Sequence, residues 1–395
     1  MHPPGADTVV VRHGDASVKS GSVQGRMQRQ LADNVRALLA DRGVRGSVER
    51  RWARTFVRTR EAHVEAAADA AADAFGVVSA SPAVSVAPEM DAVVDAVAGA
   101  AAATYDGGTF AVEARRADKS LPFTSEDVAR EAGSAVFDVV DFEAAVDLDD
   151  PDHTIHAEVR SGEAFVFTGA VPGPGGLPLG SQGRTVALVS GGIDSPVAAY
   201  EMMKRGSPVV PVYLDLGDYG GQDHRARAME TVRTLSSYAP DADWRTWVVP
   251  AGDAVDRLVA EMGRGRMLSY RRFMYRVAAG VAERTGAHGV VTGEALGQKS
   301  SQTGVNLGVV SGATDLPVHR PLLTWDKPDI TGRAKAIGTF DDSTIPAGCH
   351  RVAPDEVETN AERETLLEHE PDDLFDLADA AVADAERVEP RAVDR

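Results

Sequence analysis

The stretch Val186-Ala-Leu-Val-Ser-Gly-Gly-Ile-Asp-Ser-Pro196 contains an apolar run, a glycine-rich turn and the first residues of a predicted helix. The apolar run predicts a buried strand, and the closing proline is typical of the first helical turn, where its missing N–H costs nothing. Gly191 and Gly192 allow the backbone to approach a ligand closely. Asp194 or Ser195 is expected to cap the helix. Free N–H groups and the helix dipole at such a turn bind anions, and phosphate suits this site.

The turn differs from two widespread phosphate-binding motifs. No GK[ST] follows the glycines, so the turn is not a Walker A motif, and GxGxxG is absent, which excludes the dinucleotide fingerprint. The pattern SGGxDS after a strand resembles the PP-loop of ATP pyrophosphatases. That resemblance implies an enzyme that cleaves ATP between the α and β phosphates and transfers AMP to a substrate oxygen. A tight strand–helix turn with hydroxyl caps is the alternative interpretation.

The residues after Thr185 alternate between strand-like and helix-like segments. Apolar runs at 186–189, 209–214, 246–249 and 289–292 are typical of strands buried on both faces, and helical patterns separate them. This alternation predicts an α/β fold with a doubly wound parallel sheet. Its ligands are expected beyond the carboxyl ends of the strands.

Four further residues are candidates for the same edge of the sheet. Gly293 follows a predicted strand and permits close approach, and Gln302 offers an amide to a nucleotide. Arg271 and Arg272 begin a predicted helix, from which they could neutralise phosphate charge. A solvated or structural arginine is the alternative for both.

The chain is predicted to consist of five segments. Residues 1–80 follow the order strand, helix, strand, helix, strand, which predicts a small α+β domain, and residues 81–170 predict a second mixed domain. Residues 171–184 are rich in glycine and proline and predict a linker. Residues 185–353 contain the predicted parallel sheet. Residues 354–395 form an acidic tail, part of which could dock through its leucines and one phenylalanine.

The overall composition excludes several classes of protein. The chain has 395 residues, 43% of them hydrophobic, with 41 basic and 60 acidic residues and a formal net charge of −19. No apolar run approaches the roughly 20 residues that span a bilayer, and the N-terminus lacks the pattern of a signal peptide. The single cysteine, Cys349, excludes an intrachain disulfide and any CxxC metal or iron–sulfur site. We therefore expect a cytoplasmic, globular, multidomain protein with no membrane partner and no protein-bound metal.

The charged residues are unusual in type and in distribution. Only six of the 41 basic residues are lysine, and an acid-rich, lysine-poor surface indicates adaptation to concentrated salt; GC-rich codon usage is the alternative explanation. Residues 12–60 carry a net charge of +8, whereas residues 355–395 carry −11. The overall acidity therefore does not argue against a nucleic-acid partner.

The basic N-terminal segment provides a candidate RNA-binding surface. Arg26, Arg29 and Arg36 lie opposite the apolar face of a predicted helix, and a predicted strand over residues 51–59 interleaves aromatic side chains, among them Trp52, with arginines. A cationic face with aromatic residues suits a phosphate backbone, because arginine forks onto phosphate and also stacks. A solvated helix face is the alternative.

The order of motifs along the whole chain carries a more specific resemblance. The SGGIDSP motif belongs to a series that also contains Phe110-Ala-Val-Glu-Ala-Arg-Arg-Ala-Asp-Lys119, Pro122-Phe-Thr-Ser125, Asp147-Leu148, Gly175-Gly-Leu-Pro-Leu-Gly180, Thr292-Gly-Glu-Ala-Leu-Gly-Gln298, Ser301-Gln-Thr303, Arg320-Pro-Leu322, Asp326-Lys327 and Cys349. This series resembles the tRNA 4-thiouridine synthetases, the tRNA sulfurtransferase family ThiI.

The resemblance implies an N-terminal ferredoxin-like domain, a THUMP RNA-binding domain and a PP-loop ATP pyrophosphatase domain. The first two would dock tRNA and its acceptor end, and the third would thiolate uridine 8 with ATP and substrate-bound Mg²⁺. The positions implied for ATP are Leu188, Val189, Ser190, Gly191, Gly192, Asp194, Ser195, Tyr213, Leu214, Arg271, Gly293 and Gln302. The candidates for tRNA contact are Arg26, Arg29, Arg36, Arg115, Arg116 and Lys119.

Two residues receive catalytic roles through the same resemblance. Asp194 would hold the metal or orient pyrophosphate, and Cys349 would carry terminal sulfur as a persulfide. Uracil O4 is a poor leaving group, so adenylation of O4 would come first. Sulfur would then attack C4, and AMP would depart.

Two departures from the family pattern limit what the resemblance implies. Many bacterial relatives have a C-terminal rhodanese domain, whose place the acidic tail takes here, and some archaeal relatives have a CxxC iron–sulfur site, which this chain lacks. We therefore expect no iron–sulfur cluster and an external sulfur donor, either a persulfide carrier or sulfide. The bacterial relatives also suggest a homodimer. The alternatives are another PP-loop tRNA-modifying enzyme and a non-enzymatic tRNA-binding protein.

Overall fold

The structure, a computed structural model, describes residues 2–14, 21–51, 54–220, 222–343 and 349–390. It divides into two compact units between Pro178 and Leu179. Within the described residues, one sheet of nine strands organises the first unit and one of six strands the second. Trp52, part of the predicted basic strand, falls outside the described residues.

The N-terminal unit is a mixed α/β structure. Its elements are β1 (Thr8–His13), α1 (Gly21–Asp41), β2 (Ser47–Arg51), β3 (Arg54–Arg58), α2 (Glu61–Ala72), β4 (Val77–Val86), α3 (Met90–Thr104), β5 (Thr109–Arg116), α4 (Ser125–Val139), β6 (Ala145–Val146), β7 (His153–Arg160), β8 (Glu163–Phe167) and β9 (Val171–Pro172). The strand order is β2-β3-β1-β4-β8-β7-β5-β6, and β9 pairs with β4.

Strand β4 belongs to both halves of this sheet. Its residues Val77 to Ala83 pair antiparallel with β1, and Val84 to Val86 pair antiparallel with β8. Positions 80 and 81, where two domains are expected to meet, therefore lie within one continuous strand.

Each half of the sheet has its own apolar core. In the first half, Leu31 and Val35 of α1 pack with Val9 of β1, and in the second half Val97 of α3 packs with Ile155 of β7. The apolar positions of α1 recur at helical spacing, so the helix buries one face and leaves the arginines on the other. The unit thus consists of two helix-covered layers that share a single strand.

The predicted strand over residues 51–59 contains β3 and the last residue of a second strand, β2. Strands β2 and β3 pair antiparallel, with Ser47 opposite Arg58 and Arg51 opposite Arg54. The predicted strand is therefore confirmed at β3, whereas its first residue, Arg51, ends the separate edge strand β2, which was not predicted. The basic residues of the segment are divided over two neighbouring strands.

The C-terminal unit contains the predicted alternation of strands and helices. Its elements are β10 (Thr185–Leu188), α5 (Asp194–Lys204), β11 (Val209–Asp215), α6 (Gln222–Ser236), β12 (Thr246–Pro250), α7 (Gly252–Glu261), α8 (Arg266–Thr285), β13 (Val290–Val291), α9 (Gly304–Ser311), β14 (Val318–His319), α10 (Lys327–Ala336), α11 (Cys349–Val352), α12 (Arg363–His369), α13 (Leu374–Ala383) and β15 (Glu386–Val388).

The sheet of this unit confirms the predicted α/β fold class. Its order is β14-β13-β10-β11-β12-β15, and the first five strands run parallel. The chain winds from β10 toward β11 and β12 and then returns to β13 on the opposite side, which places the topological switch point at β10. No helix among the described residues is both long and apolar enough to cross a membrane.

Much of the acidic tail folds back onto this unit. Leu374 and Val382 of α13 join the core beside α8, and β15 pairs antiparallel with β12 as an edge strand. Arg272 Nε donates to both carboxylate oxygens of Glu370, at 3.1 and 2.9 Å. The docking predicted for the apolar residues of the tail is thus observed at α13.

Replacing Leu374 with alanine is expected to lower the free energy of unfolding of the C-terminal unit by about 2–5 kcal/mol, because the side chain is 1% exposed within the core. Chemical denaturation at fixed high salt, followed by tryptophan fluorescence, measures this change. Leu367→Ala is the matched control, since Leu367 lies in the same tail but is 37% exposed; its effect should stay within about 0.5 kcal/mol. Equal effects of the two variants would contradict the docking of α13.

Candidate active site

The turn between β10 and α5 is closed by its own serines. Ser190 N–H donates to Ser195 Oγ at 2.9 Å, the two hydroxyl oxygens lie 3.1 Å apart, and Gly192 N–H donates to Ser190 Oγ at 3.3 Å. Ile193 occupies the cap position of α5 and has no polar side chain, so the cap expected at Asp194 or Ser195 is wrong. The first N–H groups of this 11-residue helix therefore face the turn without a side-chain cap, an arrangement that binds phosphate.

Gly293 lies against the first turn of α5. A Cβ atom at Gly293 would lie 2.7 Å from both the carbonyl carbon of Asp194 and the nitrogen of Ser195. Both neighbours are backbone atoms, so no side-chain rotation could relieve the overlap. The ends of β10 and β13 therefore approach the turn together, as the fold predicts for the switch point.

Four of the residues implied for ATP occupy the carboxyl ends of β10 and β11. The side chains of Leu188, Val189, Tyr213 and Leu214 are between 4% and 7% exposed. Val189 N–H donates to Val212 O at 2.8 Å, which extends the strand pairing to the start of the turn. Because these side chains are buried, a ligand at these four positions would contact chiefly the backbone.

Glu294, the residue after Gly293, is a buried carboxylate held by three donors. Its side chain is 3% exposed and forms an ion pair with Arg271 through Oε1. Its Oε2 accepts from Tyr275 Oη at 2.5 Å and from Arg320 Nε at 2.7 Å. Burial, together with the Glu294 charge, raises the pKa of Tyr275, so this phenol stays a donor. Two guanidinium groups around one carboxylate leave an excess of positive charge beside the turn.

Gln302 extends this cluster toward the short turn Ser300–Gln302. With its amide oriented to satisfy both neighbours, Gln302 Nε2 donates to Ala295 O at 2.7 Å, and Oε1 accepts from Arg271 Nη2 at 3.1 Å. The structure therefore brings Arg271, Gly293 and Gln302 into one connected group. Arg272, by contrast, is 4% exposed and pairs with Glu370 of the tail. It is therefore a structural arginine, the alternative to neutralising phosphate charge.

Lys327 reaches the phosphate turn from α10. Its Nζ lies 2.5 Å from Asp194 Oδ1, and the two side chains are 49% and 30% exposed. An ion pair in such contact with water contributes about 0–1 kcal/mol, so an incoming anion can displace the carboxylate at little cost. The sequence contains this lysine in the Asp326-Lys327 motif, but spacing alone gives no reason to pair it with Asp194, 133 residues away.

Cys349 is the first residue of α11, and its side chain lies outside what the structure describes. The preceding residues 344–348 are also outside the described ranges. Three residues later, Val352 is fully buried, and its carbonyl accepts a hydrogen bond from Arg266 Nη1 at 3.2 Å. The backbone of the cysteine-bearing helix is therefore anchored to α8 at one end.

The residues predicted to contact tRNA differ in how free they are to do so. Arg26, Arg29, Arg115 and Lys119 are exposed. Arg36 is exposed as well, but it bonds Asp33 at 2.5 Å and the carbonyl of Val48 at 3.1 Å. Arg116 donates to the carbonyls of Leu121 and Phe123 at 3.1 and 2.5 Å, so its guanidinium holds the loop that follows β5.

The N-terminal unit also contains a cavity of about 300 Å³ lined by Arg12, Arg115, His156, Glu158 and Phe167. The Arg12 guanidinium lies over the Phe167 ring, 4.6 Å from its centroid, and the His156 ring stacks on the same ring with 5.0 Å between the centroids. Burial lowers the pKa of Arg12 and of His156. Arginines and stacked rings around a cavity are suited to a nucleotide and its phosphate. In the sequence Arg12 is one basic residue of the segment 12–60, and its spacing gives no sign of this cavity, which forms where residues of β1, β4, β5, β7 and β8 come together in the sheet.

Three family models match consecutive parts of the chain. The model described as thiamine biosynthesis protein (ThiI) matches residues 180–374, the THUMP domain matches residues 87–168, and the ThiI ferredoxin-like domain matches residues 8–81.

Curated relatives and a solved structure match nearly the whole chain. A probable tRNA sulfurtransferase of Halobacterium salinarum is 63% identical over 98% of this chain and 99% of its own, and one of Methanosarcina acetivorans is 38% identical over 91% and 88%. The crystal structure of a 4-thiouridine synthetase–RNA complex with bound ATP aligns with a TM-score of 0.86 at 28% identity, over 97% of this chain and 99% of the other. A Pyrococcus horikoshii structure, at 23% identity and a TM-score of 0.66 over 84% and 99%, shares the fold.

Gly293→Ala is expected to weaken ATP binding by at least about tenfold, because the added Cβ overlaps the backbone of α5 and shifts the turn, at a typical overpacking cost of ~1–3 kcal/mol. Isothermal titration calorimetry measures the affinity, and circular dichroism checks the fold. Gly304→Ala is the matched control, since no atom lies within 4 Å of its added Cβ. Equal ATP affinity in the two variants would contradict the role assigned to this close approach.

Proposed function

The chain belongs to the ThiI family and is a tRNA sulfurtransferase, and from this premise we propose that it converts uridine 8 of tRNA to 4-thiouridine at the expense of ATP. The observation that carries the proposal is the uncapped start of α5 behind the serine-closed turn, in a chain that matches sulfurtransferases over almost its full length. The residues implied for ATP are proposed to act as one nucleotide site at this switch point.

The first step of the proposed reaction is adenylation of the uracil. O4 attacks the α-phosphorus of ATP, and the bond to the β-phosphate oxygen breaks with departure of pyrophosphate. The backbone N–H groups of the turn and the helix dipole stabilise the phosphate charge. Lys327 leaves Asp194 and donates to a phosphate oxygen instead, which the weakness of their exposed pair allows.

The carboxylate of Asp194 suits a divalent cation that arrives with the triphosphate. Oxygen ligands of this kind are those that Mg²⁺ prefers, and the residue stands at the first position of α5. Mg²⁺ would supply neutralisation of phosphate charge when bound. Arg271, held by Glu294 and Gln302, contributes fixed positive charge on the same site.

The second step replaces the activated oxygen with sulfur. A terminal sulfur attacks C4, and the C4–O4 bond breaks with departure of AMP. We assign this sulfur to a persulfide on Cys349, loaded when the thiolate takes the terminal sulfur of an external persulfide carrier and the thiol of the carrier leaves. Sulfide, the other external donor, would attack C4 directly, without passing through Cys349. The thiolate is the form that accepts and transfers sulfur. After this attack an S–S bond joins Cys349 to the sulfur on C4. Since Cys349 is the single cysteine, two external thiols must reduce that bond, and they leave as a disulfide.

The N-terminal unit is proposed to dock the RNA. The exposed Arg26 and Arg29 on α1 provide phosphate contacts, and the cavity around Arg12 and Phe167 is suited to unpaired nucleotides of the acceptor end. In this assignment the two domains expected at residues 1–80 and 81–170 act together, through the sheet they share.

Incubation of tRNA with the protein, ATP, Mg²⁺ and sulfide at high salt is expected to yield thiolated tRNA, detected by retardation in a mercury gel. The retardation should vanish when ATP is omitted or when uridine 8 is replaced. Asp194→Ala should reduce the rate by at least about 100-fold, the usual effect of removing one preorganised electrostatic group. Cys349→Ser should abolish the reaction with a persulfide donor and retain it with sulfide, which attacks C4 directly.

The controls separate the steps of this proposal. Asp372→Ala, an exposed aspartate of the tail, should retain full activity. Retained thiolation by Cys349→Ser with a persulfide donor would overturn the persulfide route but not the function. If AMP is released in the presence of tRNA but the tRNA is not retarded in the mercury gel, the protein catalyses another modification that proceeds through adenylation.

Arg115→Ala is expected to weaken binding of intact tRNA by about three- to tenfold, because the substitution removes one exposed arginine from the lining of the cavity. The effect should be smaller on tRNA that lacks its 3′-terminal nucleotides. Filter binding at several salt concentrations measures both affinities. Arg130→Ala serves as the control, since Arg130 is equally exposed in the same unit but pairs with Asp127 away from the cavity lining. The same loss for both RNAs would refute the placement of the acceptor end here.

A further inference from the structure

Asn306, in the first turn of α9, joins two segments that are distant in sequence. The residue is fully buried. Its Nδ2 donates to Ser300 O at 3.2 Å and to Glu358 O at 2.8 Å, and its Oδ1 accepts from Ala361 N–H at 3.0 Å. One amide thus connects the turn Ser300–Gln302 with residues 353–362, the connecting segment between α11 and α12.

Thr303 makes a second tie between the same two segments. Its hydroxyl donates to Thr359 O at 2.8 Å and accepts from Asn306 N–H at 3.2 Å, so it also caps α9. The connecting segment is held once more where Glu358 N–H donates to Arg264 O at 3.2 Å. These ties hold residues 358–361 of the segment that follows α11, the helix that begins with Cys349.

We propose that Asn306 is a positioning residue that couples the nucleotide turn to the cysteine-bearing segment, so that occupation of the nucleotide site changes the reactivity of Cys349. The inference rests on the proposed function, which assigns Gln302 to ATP and sulfur transfer to Cys349. Movement of either segment would leave buried amide and carbonyl groups without partners, and such groups are rarely tolerated. Coupling of this kind is reciprocal, so the state of the cysteine segment also changes the affinity for nucleotide.

The single cysteine makes the coupling directly measurable. Alkylation of Cys349 by iodoacetamide is followed by intact mass in the full chain, with and without saturating α,β-methylene-ATP and Mg²⁺. In the unmodified protein the rate constant is expected to change by at least about fivefold, the lower end of typical coupling. In Asn306→Ala the nucleotide should change the rate constant of alkylation by less than about twofold, because only the tie through Thr303 would remain.

Asn360→Ala is the matched control, because Asn360 is an exposed asparagine of the same connecting segment. Its alkylation rate should change with nucleotide as that of the wild-type protein does. If Asn306→Ala fails to fold by circular dichroism, Thr303→Val and Thr303→Ser replace it: serine keeps both hydroxyl bonds and should preserve the response, whereas valine should weaken it.

The outcomes separate this inference from the function on which it rests. The coupling would be overturned if the alkylation rate of the wild-type protein did not change with bound nucleotide. It would also be overturned if the change persisted in Asn306→Ala, or to the same extent in both Thr303 variants. Each of these outcomes would leave the proposed function intact. Failure of the unmodified protein to bind nucleotide, measured by equilibrium dialysis, would overturn the proposed function itself.

Discussion

The contact between Gly293 and the first turn of α5 is the constraint on which the C-terminal unit depends. Because a Cβ at Gly293 would overlap the backbone of Asp194 and Ser195, only glycine lets the end of β13 come this close to the phosphate turn. The next residue, Glu294, is consequently placed where it pairs with Arg271 of α8 and with Arg320 after β14. One backbone approach therefore fixes the relative positions of the turn, α8 and the segment that follows β14.

The charged groups around this contact fall into two kinds, which respond differently to salt. The pairs of Glu294 and of Arg272 with Glu370 are buried, and counterions screen them little. The pair of Lys327 with Asp194 is half exposed, so salt and anionic ligands compete with it readily. A chain whose composition indicates concentrated salt thus keeps its buried pairs for structure. It places an exchangeable pair where a phosphate is proposed to enter.

The parts of the molecule that were predictable from the sequence are those that depend on neighbouring residues. The strand, turn and helix of residues 186–196 follow from apolar runs and glycines, and the α/β sheet follows from their repetition. The cap of α5 was predicted wrongly because the Ser195 hydroxyl bonds back to Ser190 instead. The roles of Glu294, Tyr275 and Lys327 were missed, since their partners lie 19 to 133 residues away and spacing carries no sign of them. Strand β2 was missed because its charged residues obscure the period of the strand.

The continuous strand β4 has a consequence for how the N-terminal unit can change. Side chains alternate between the faces of a strand, so loss or gain of one residue inverts the facing of everything beyond it. In β4, such an insertion or deletion would reverse which side chains face the core and which face away from it. The reversal would affect the part that pairs with β1 or the part that pairs with β8, depending on the position of the change. The two halves of the unit therefore constrain each other's register through β4. Their lengths along this strand must be inherited together, whereas the loops at the sheet margins remain free to vary.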